Sequence, residues 1–320
     1  MELNNDAKAL LKKALDIKKE VKKAVLGKDD IIDKMLCAIV AGGHILLDDI
    51  PGVGKTTLAL SFSKAMSLKY QRLQFTPDVL PTDVTGFSIY DKRTDSFVYK
   101  PGAAICNLFL ADEINRTSSK TQSALLEIME EGRVTVDGVT REMPRPFTVI
   151  ATENPIGYVG TQMLPESQLD RFMIQMSMGY PSVENEVDIL KNRQGNNPLD
   201  SIVPVASAED IVKMQLLSER IYTDDKIYNY IASLAAATRN NDMIELGLSP
   251  RGSLAIAKLA RAHAFLSGRG FVIPDDVSAV FYDAAMHRIA LSPKSRLANK
   301  TEHDVLESIL SEVELPKIEK

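Results

Sequence analysis

The ten residues from Asp48 to Thr57, "DDIPGVGKTT", decide how this chain folds. They follow the apolar "GHILL" and precede "LALSFSKAM", where apolar residues recur at helical spacing. A strand, a glycine-rich turn and a helix in succession make a phosphate-binding loop, in which backbone N–H groups at a helix N-terminus surround an anion. Gly52 and Gly54 allow close backbone approach, Lys55 can reach the β- and γ-phosphates, and Thr56 can place its hydroxyl on Mg²⁺. The candidate nucleotide-binding residues are therefore Pro51, Gly52, Val53, Gly54, Lys55, Thr56 and Thr57, with ATP and Mg2+ as the expected ligands. One position departs from the pattern. Five residues before Gly54, where a glycine is usual, stands Asp49. That glycine only eases the exit from the strand, and Pro51-Gly52 can make the turn instead.

Outward from the loop, short apolar runs alternate with amphipathic helical patterns from about residue 40 to 177. "HILL", "QRLQF", "NLFLA", "FTVIAT" and "FMIQMSM" read as buried strands. "GKTTLALSFSKAM" and "SSKTQSALLEIMEE" read as helices between them. This alternation predicts an α/β domain whose mostly parallel sheet lies between helices. Two stretches, "GFSIYDKRTDSFVYKPG" and "GRVTVDGVTREMP", read instead as inserted hairpins, the second turning at Asp137-Gly138. Residues 195–204, "GNNPLDSIVP", have linker character, and the four strong patterns beyond them are helical. The expected domains are 1–194 (an N-terminal helix plus the α/β domain), the 195–204 linker, and an all-helical 205–320.

Composition narrows the function classes. With 45% hydrophobic and 25% charged residues the chain reads as an ordinary soluble protein, and its net charge of −5 argues against a general nucleic-acid binder. The N-terminal "MELNNDAKALLKKALDIKKEVKKAV" lacks a secretory apolar core, and its apolar residues fall at helical spacing as in a packing helix. No run reaches the ~18 apolar residues of a membrane span. Cys37 and Cys106 sit in apolar company, which points to buried thiols and a cytoplasmic location. Four histidines and two cysteines make no metal-ligand cluster.

Two further strand ends carry chemistry. "NLFLADEIN" ends in Asp112, placed to hold Mg²⁺ through its hydration shell, and Glu113, placed to polarise the attacking water. An acidic pair opening a helix is the plainer alternative. "FTVIATENP" ends in Glu153-Asn154-Pro155, with Asn154 at the mouth of the ligand crevice or simply in a turn. Ser249-Pro250 is a good helix start that places Arg251 in the first turn, where the dipole disfavours a cation. "QLDRF" offers Arg171, which can equally pair with a nearby carboxylate.

Taken in order, "PGVGKT", "LFLADEINR", "IATENP", "LPESQLDRF" and "LSPRGS" resemble the MoxR family of AAA+ ATPases over nearly the whole chain. The resemblance implies a P-loop AAA+ core followed by a helical lid. It implies Asn154 as sensor 1, Arg171 as an arginine finger offered to a neighbouring subunit, and Arg251 as sensor 2; Arg116 has no assigned role. "TPDVLPTDVTGF" and the hairpin after it are similar to a helix-2 insert, and "GRVTVDGVTREMP" to a pre-sensor-1 hairpin. The family often fills the Asp49 position with a residue other than glycine. The implied function is ATP hydrolysis by a homo-oligomeric, hexameric ring that remodels or matures a protein client, with a von Willebrand factor A domain partner. A nucleic-acid motor, a metal-chelatase-type subunit and a nucleotide-dependent scaffold with little turnover are the alternatives.

Overall fold

Side chains of a strand point alternately to the two faces of its sheet, and here both faces are apolar. The computed structural model describes residues 3–154, 164–192 and 197–316 of the chain. Its strands are β1 (Ile45–Asp48), β2 (Tyr70–Gln74), β3 (Gly86–Asp91), β4 (Ser96–Pro101), β5 (Leu108–Asp112) and β6 (Arg133–Val136). They continue with β7 (Val139–Glu142), β8 (Thr148–Glu153), β9 (Ile174–Met176), β10 (Ile244–Leu246) and β11 (Ala290–Leu291). The helices of the first half are α1 (Asn5–Lys22), α2 (Asp29–Val40), α3 (Lys55–Ala65), α4 (Pro81–Thr85), α5 (Ser119–Glu131), α6 (Glu166–Leu169) and α7 (Val183–Asn192). Those of the second are α8 (Ala208–Glu219), α9 (Asp225–Arg239), α10 (Pro250–Leu266), α11 (Pro274–Ala285), α12 (Pro293–Leu297) and α13 (Glu302–Glu312).

The central sheet runs β2-β5-β8-β1-β9 with every pairing parallel. Ile45 and Leu47, Leu108 and Leu110, and Ile150 face one apolar cluster, with α2, α3 and the C-terminal helices. Leu46, Phe109, Ala111, Val149 and Ala151 face the other, with Leu125, Leu126 and Ile128 of α5 and Phe172. Full burial of each large side chain contributes about 1.5–3 kcal/mol, which fixes the register. "QRLQF" is a strand but not a buried one. Order places β2 at the sheet edge, so Gln71, Arg72 and Gln74 are exposed.

Both inserted hairpins form, β3 with β4 and β6 with β7. Asp137 and Gly138 take φ of 52° and 75°, the paired positive angles of a type I′ turn. The Arg141 guanidinium lies 3.9 Å from the Tyr99 ring centroid and ties the two hairpins together.

In the second half, Ser207 and Thr301 open α8 and α13 with reciprocal capping boxes. This half is not wholly helical: β10 and β11 form a two-stranded ribbon, too short to show a period. Residues 195 and 196 of the linker stretch lie outside the described residues, and Pro198–Ser201 within it is a 3₁₀ turn. Helix α1 packs on α2 and α3 and also on α8 and α10, so one apolar cluster runs from the N-terminal helix into the C-terminal ones. Among the described residues no helix is long and apolar enough to cross a membrane. Cys37 and Cys106 are buried free thiols, and burial pushes both above the ordinary thiol range.

Candidate active site

Strand β1 delivers the chain into the glycine-rich loop at the carboxyl end of the sheet. Gly52 and Gly54 take φ of 88° and 102°, which a side chain would strain. A Cβ on Gly52 would have no atom within 4 Å, so backbone conformation and not space demands glycine there. Lys55 opens α3, is buried, and donates from Nζ to the Asp49 carbonyl at 2.7 Å. Burial lowers its pKa, while Asp49, Asp112, Glu113 and Asp48 pull the other way, so the structure gathers these carboxylates around it.

Asp49 has its own task. Its carboxylate accepts from Ser177 Oγ at 2.8 Å, from the Gly179 N–H at 3.0 Å and from the Met178 N–H. It therefore ties the loop entrance to the segment after β9, which a glycine could not do. Beside the loop a cavity of about 330 Å³ is lined by Val25, Lys28, Gly52, Val53, Met178 and Tyr180. Its mixed lining suits a base and sugar.

The neighbouring strand ends complete this edge. Asp112 accepts from Thr152 Oγ1 at 2.7 Å on one oxygen and from Arg72 Nε and Nη2 at 3.1 and 2.6 Å on the other. Glu113 sits at φ 56°, a left-handed conformation that costs a non-glycine residue about 1–3 kcal/mol and collects at functional sites. Its N–H donates to Thr152 Oγ1 at 2.8 Å, and its carboxylate accepts from Arg116 Nη1 at 2.6 Å. Asn154 is buried, with its carbonyl accepting from Asn115 Nδ2 at 3.3 Å. Asp48 and Glu153 lie side by side across the β1–β8 register. Burial, aided by Asp48, pushes Glu153 up to about 7, and burial also raises Asp48. The positive-φ glycine cradle, the buried lysine and the oxygen donors Thr56 and Asp112 fit ATP with a hard cation. Thr152 and Arg72 escaped the sequence reading. Thr152 stands two residues before Asn154 and could have been found from there; Arg72 carries no local signal.

The other two candidates are elsewhere. Strand β1, four residues or roughly 13 Å long, separates the loop from the amino end of the sheet. His44 precedes β1 there. Its Nδ1 accepts from the Val149 N–H at 3.0 Å and its Nε2 lies 3.0 Å from the Met129 carbonyl, which assigns the proton to Nε2. Burial pushes His44 down to about 4. Next to Met129, Glu130 holds Arg171 Nη1 on one oxygen and Arg251 Nη2 on the other. Arg171 Nη1 also donates to the Leu126 carbonyl at 3.0 Å. A cavity of about 410 Å³ at this end is lined by Gly43, His44, Glu130, Arg171, Arg251 and Arg288. The carboxylate paired with Arg171 is thus Glu130 and not its neighbour Asp170, which takes Arg288 Nε at 2.7 Å and Ser249 Oγ at 2.9 Å. The fold brings Arg171 and Arg251 to each other and takes neither to the glycine-rich loop of its own chain.

Residues 44–174 match the family model described as "ATPase family associated with various cellular activities (AAA)", and residues 236–309 match an AAA lid domain. A Bacillus subtilis protein called YeaC is 44% identical, across 99% of this chain and 98% of its own. Chaperone MoxR1 of Mycobacterium tuberculosis is 37% identical, across 93% of this chain and 81% of its own. A solved structure from Cytophaga hutchinsonii superposes with a TM-score of 0.88 at 34% identity, over 97% of both chains.

Proposed function

Because the chain belongs to the MoxR family of AAA+ ATPases, we propose that it hydrolyses ATP with Mg²⁺ as an oligomeric ring and uses the energy to remodel a protein client. The separation of the glycine-rich loop from the Arg171–Glu130–Arg251 cluster, at opposite ends of one sheet, carries this reading. A chain so built keeps Arg171 and Arg251 away from its own glycine-rich loop, and a neighbour in a ring can supply them.

Within one chain, Lys55 Nζ moves from the Asp49 carbonyl to the phosphate oxygens. Thr56 and Asp112 would hold Mg²⁺, which when bound neutralises phosphate charge. Glu113, held beside Arg116 and indexed by Thr152, orients and polarises the attacking water, with Asn154 alongside. From the neighbour, Arg171 stabilises charge on the γ-phosphoryl oxygens as the transition state forms. Arg251 shares the carboxylate that holds Arg171, so it belongs to the same neighbouring site.

The chaperone-like role follows the name of the relative MoxR1. The hexameric state and the von Willebrand factor A domain partner carry over from the family resemblance. Phe87, Ile89, Tyr90 and Phe97, exposed on the β3–β4 hairpin, form the surface best suited to a client. Two buried free thiols suit the cytoplasm. The test is specific ATPase activity against protein concentration, with sedimentation in parallel. Activity should rise steeply as the ring assembles. A monomer with flat specific activity from nanomolar to micromolar overturns the reading.

A further inference from the structure

The motif "MHRIAL", Met286 to Leu291, has no part in the proposed chemistry, yet Arg288 within it is almost fully buried, its side chain 2% exposed. It follows α11 in a 3₁₀ turn and reaches into the first half of the chain. Arg288 Nε donates to Asp170 Oδ1 at 2.7 Å, Nη2 to the Asp170 carbonyl at 3.3 Å and to the Phe172 carbonyl, and Nη1 to the Met173 carbonyl at 3.1 Å and to the Ala284 carbonyl. His287 Nε2 lies 3.0 Å from the Phe172 carbonyl as well. One guanidinium and one imidazole thus take up the carbonyls of residues 170, 172 and 173, between α6 and β9. Arg171 stands in the middle of that loop.

The same hub reaches Arg251. The second oxygen of Asp170 accepts from Ser249 Oγ, and Ser249 in turn caps α10 by accepting from the Gly252 N–H at 3.1 Å. A Cβ on Gly252 would come within 3.0 Å of Arg288 Cδ, so this glycine leaves room for the arginine stem. Every residue of "SPRG" then has a use: Ser249 caps and holds Asp170, Pro250 starts the helix, Arg251 faces Glu130, and Gly252 admits Arg288. Burying an ion pair of this kind gains little stability over an apolar packing of the same volume. What the planar, multiply donating fork adds is geometry.

We propose that Arg288 is the positioning residue for the arginine pair, holding the 170–173 loop and the start of α10 so that Arg171 and Arg251 meet a neighbour's phosphates as one rigid unit. This rests on the reading that Arg171 acts across a subunit interface. Its signature is a defect at the neighbour's site with the subunit's own site intact.

The experiment uses the full-length chain with Arg288→Lys, which keeps the charge but loses the fork, and independently Asp170→Asn. Misplacement by about 1 Å costs on the order of 10²-fold in rate, so kcat should fall by about that factor. Binding of a fluorescent ATP analogue should stay within about twofold of wild type, since Lys55 and the loop are untouched. Each variant is then mixed with Glu113→Gln, whose own site is dead but whose arginines are intact, with Arg171→Ala plus Glu113→Gln as the reference mixture. Recovery of activity in all three mixtures is the expected result. Recovery in the reference alone overturns the positioning role and leaves the trans arginine standing. No recovery in any mixture overturns both. Wild-type kcat in Arg288→Lys and Asp170→Asn, or loss of folding in both by thermal unfolding, also overturns the proposal.

Discussion

The two ends of the central sheet are assembled by different means. At the carboxyl end the groups sit on strand termini and the turns that leave them, so backbone hydrogen bonds place Lys55, Asp112, Glu113 and Asn154. At the amino end, Arg171 and Arg251 lie 80 positions apart and meet through Glu130, Asp170, Ser249 and Arg288. In the proposed reading, one end is a preformed ligand site. The other, in the same reading, is a pair of arginines that a second part of the chain holds in place for a neighbour.

The largest expected effect separates the two ends directly. Arg171→Ala should lose about 10³–10⁵ in kcat, the range for arginine fingers elsewhere, with ATP affinity little changed. Lys55→Ala should lose tight ATP binding itself, and Glu113→Gln should bind ATP and fail to hydrolyse it. Equal losses of affinity in all three, measured by equilibrium binding beside steady-state kinetics, would erase the distinction.

A smaller effect concerns pH. Glu153 at the carboxyl end has a raised pKa, so the unfolded chain releases its proton from about 4.5 upward while the folded chain keeps it until about 7. Its stabilisation is full below 4.5 and is lost through 7, an effect of up to about 3 kcal/mol. His44 at the amino end has a lowered pKa, so stability is full above about 6.5 and falls as the pH drops to about 4. The size is again about 3 kcal/mol. Denaturant unfolding of the nucleotide-free protein should show that Glu153→Gln flattens the loss between pH 5 and 8. His44→Asn should flatten the loss between 6.5 and 4. A variant with the wild-type slope in its own window would show that the burial assigned to that residue is wrong.

The smallest effect belongs to the hairpins. Phe97, 75% exposed at the β3–β4 turn, packs edge to face on Tyr90 and touches neither end of the sheet. Phe97→Ser should leave basal ATPase within about twofold, since exposed substitutions shift stability by only ±0.5 kcal/mol. It should remove stimulation by a client. Stimulation equal to wild type returns the hairpin to a packing role.

Legibility followed the same division. "PGVGKT", "LFLADE" and "VIATEN" each pair an apolar strand with its terminal polar groups in one short window, so the gathering of these residues at the carboxyl end of the sheet could be read from sequence. Asp49 could be judged harmless but not understood, because its partners Ser177, Met178 and Gly179 lie some 130 residues on. The Arg72–Asp112 pair depends on β2 lying beside β5, a matter of sheet order. Glu130 and Arg288 were invisible for the same reason: a glutamate at a helix end and an arginine in "MHRIAL" have no local pattern to distinguish them. Arg171 is legible as a finger only through family resemblance, and its carboxylate partner has no sequence signal, because adjacent Asp170 is taken by Arg288 while Glu130 comes from the end of α5.

The measurement that bears most directly on the two-ended site is a mixing series of Arg171→Ala and Glu113→Gln at constant total protein, with co-assembly followed by pull-down. An Arg171→Ala subunit keeps its own Lys55, Asp112 and Glu113, and a Glu113→Gln neighbour brings an intact Arg171. Specific activity should be near zero at both extremes and pass through a maximum at intermediate fractions. A series that stays at the sum of the two mutants' activities while they co-assemble would contradict an arginine supplied in trans, and would make the Glu130 ion pair the whole role of Arg171.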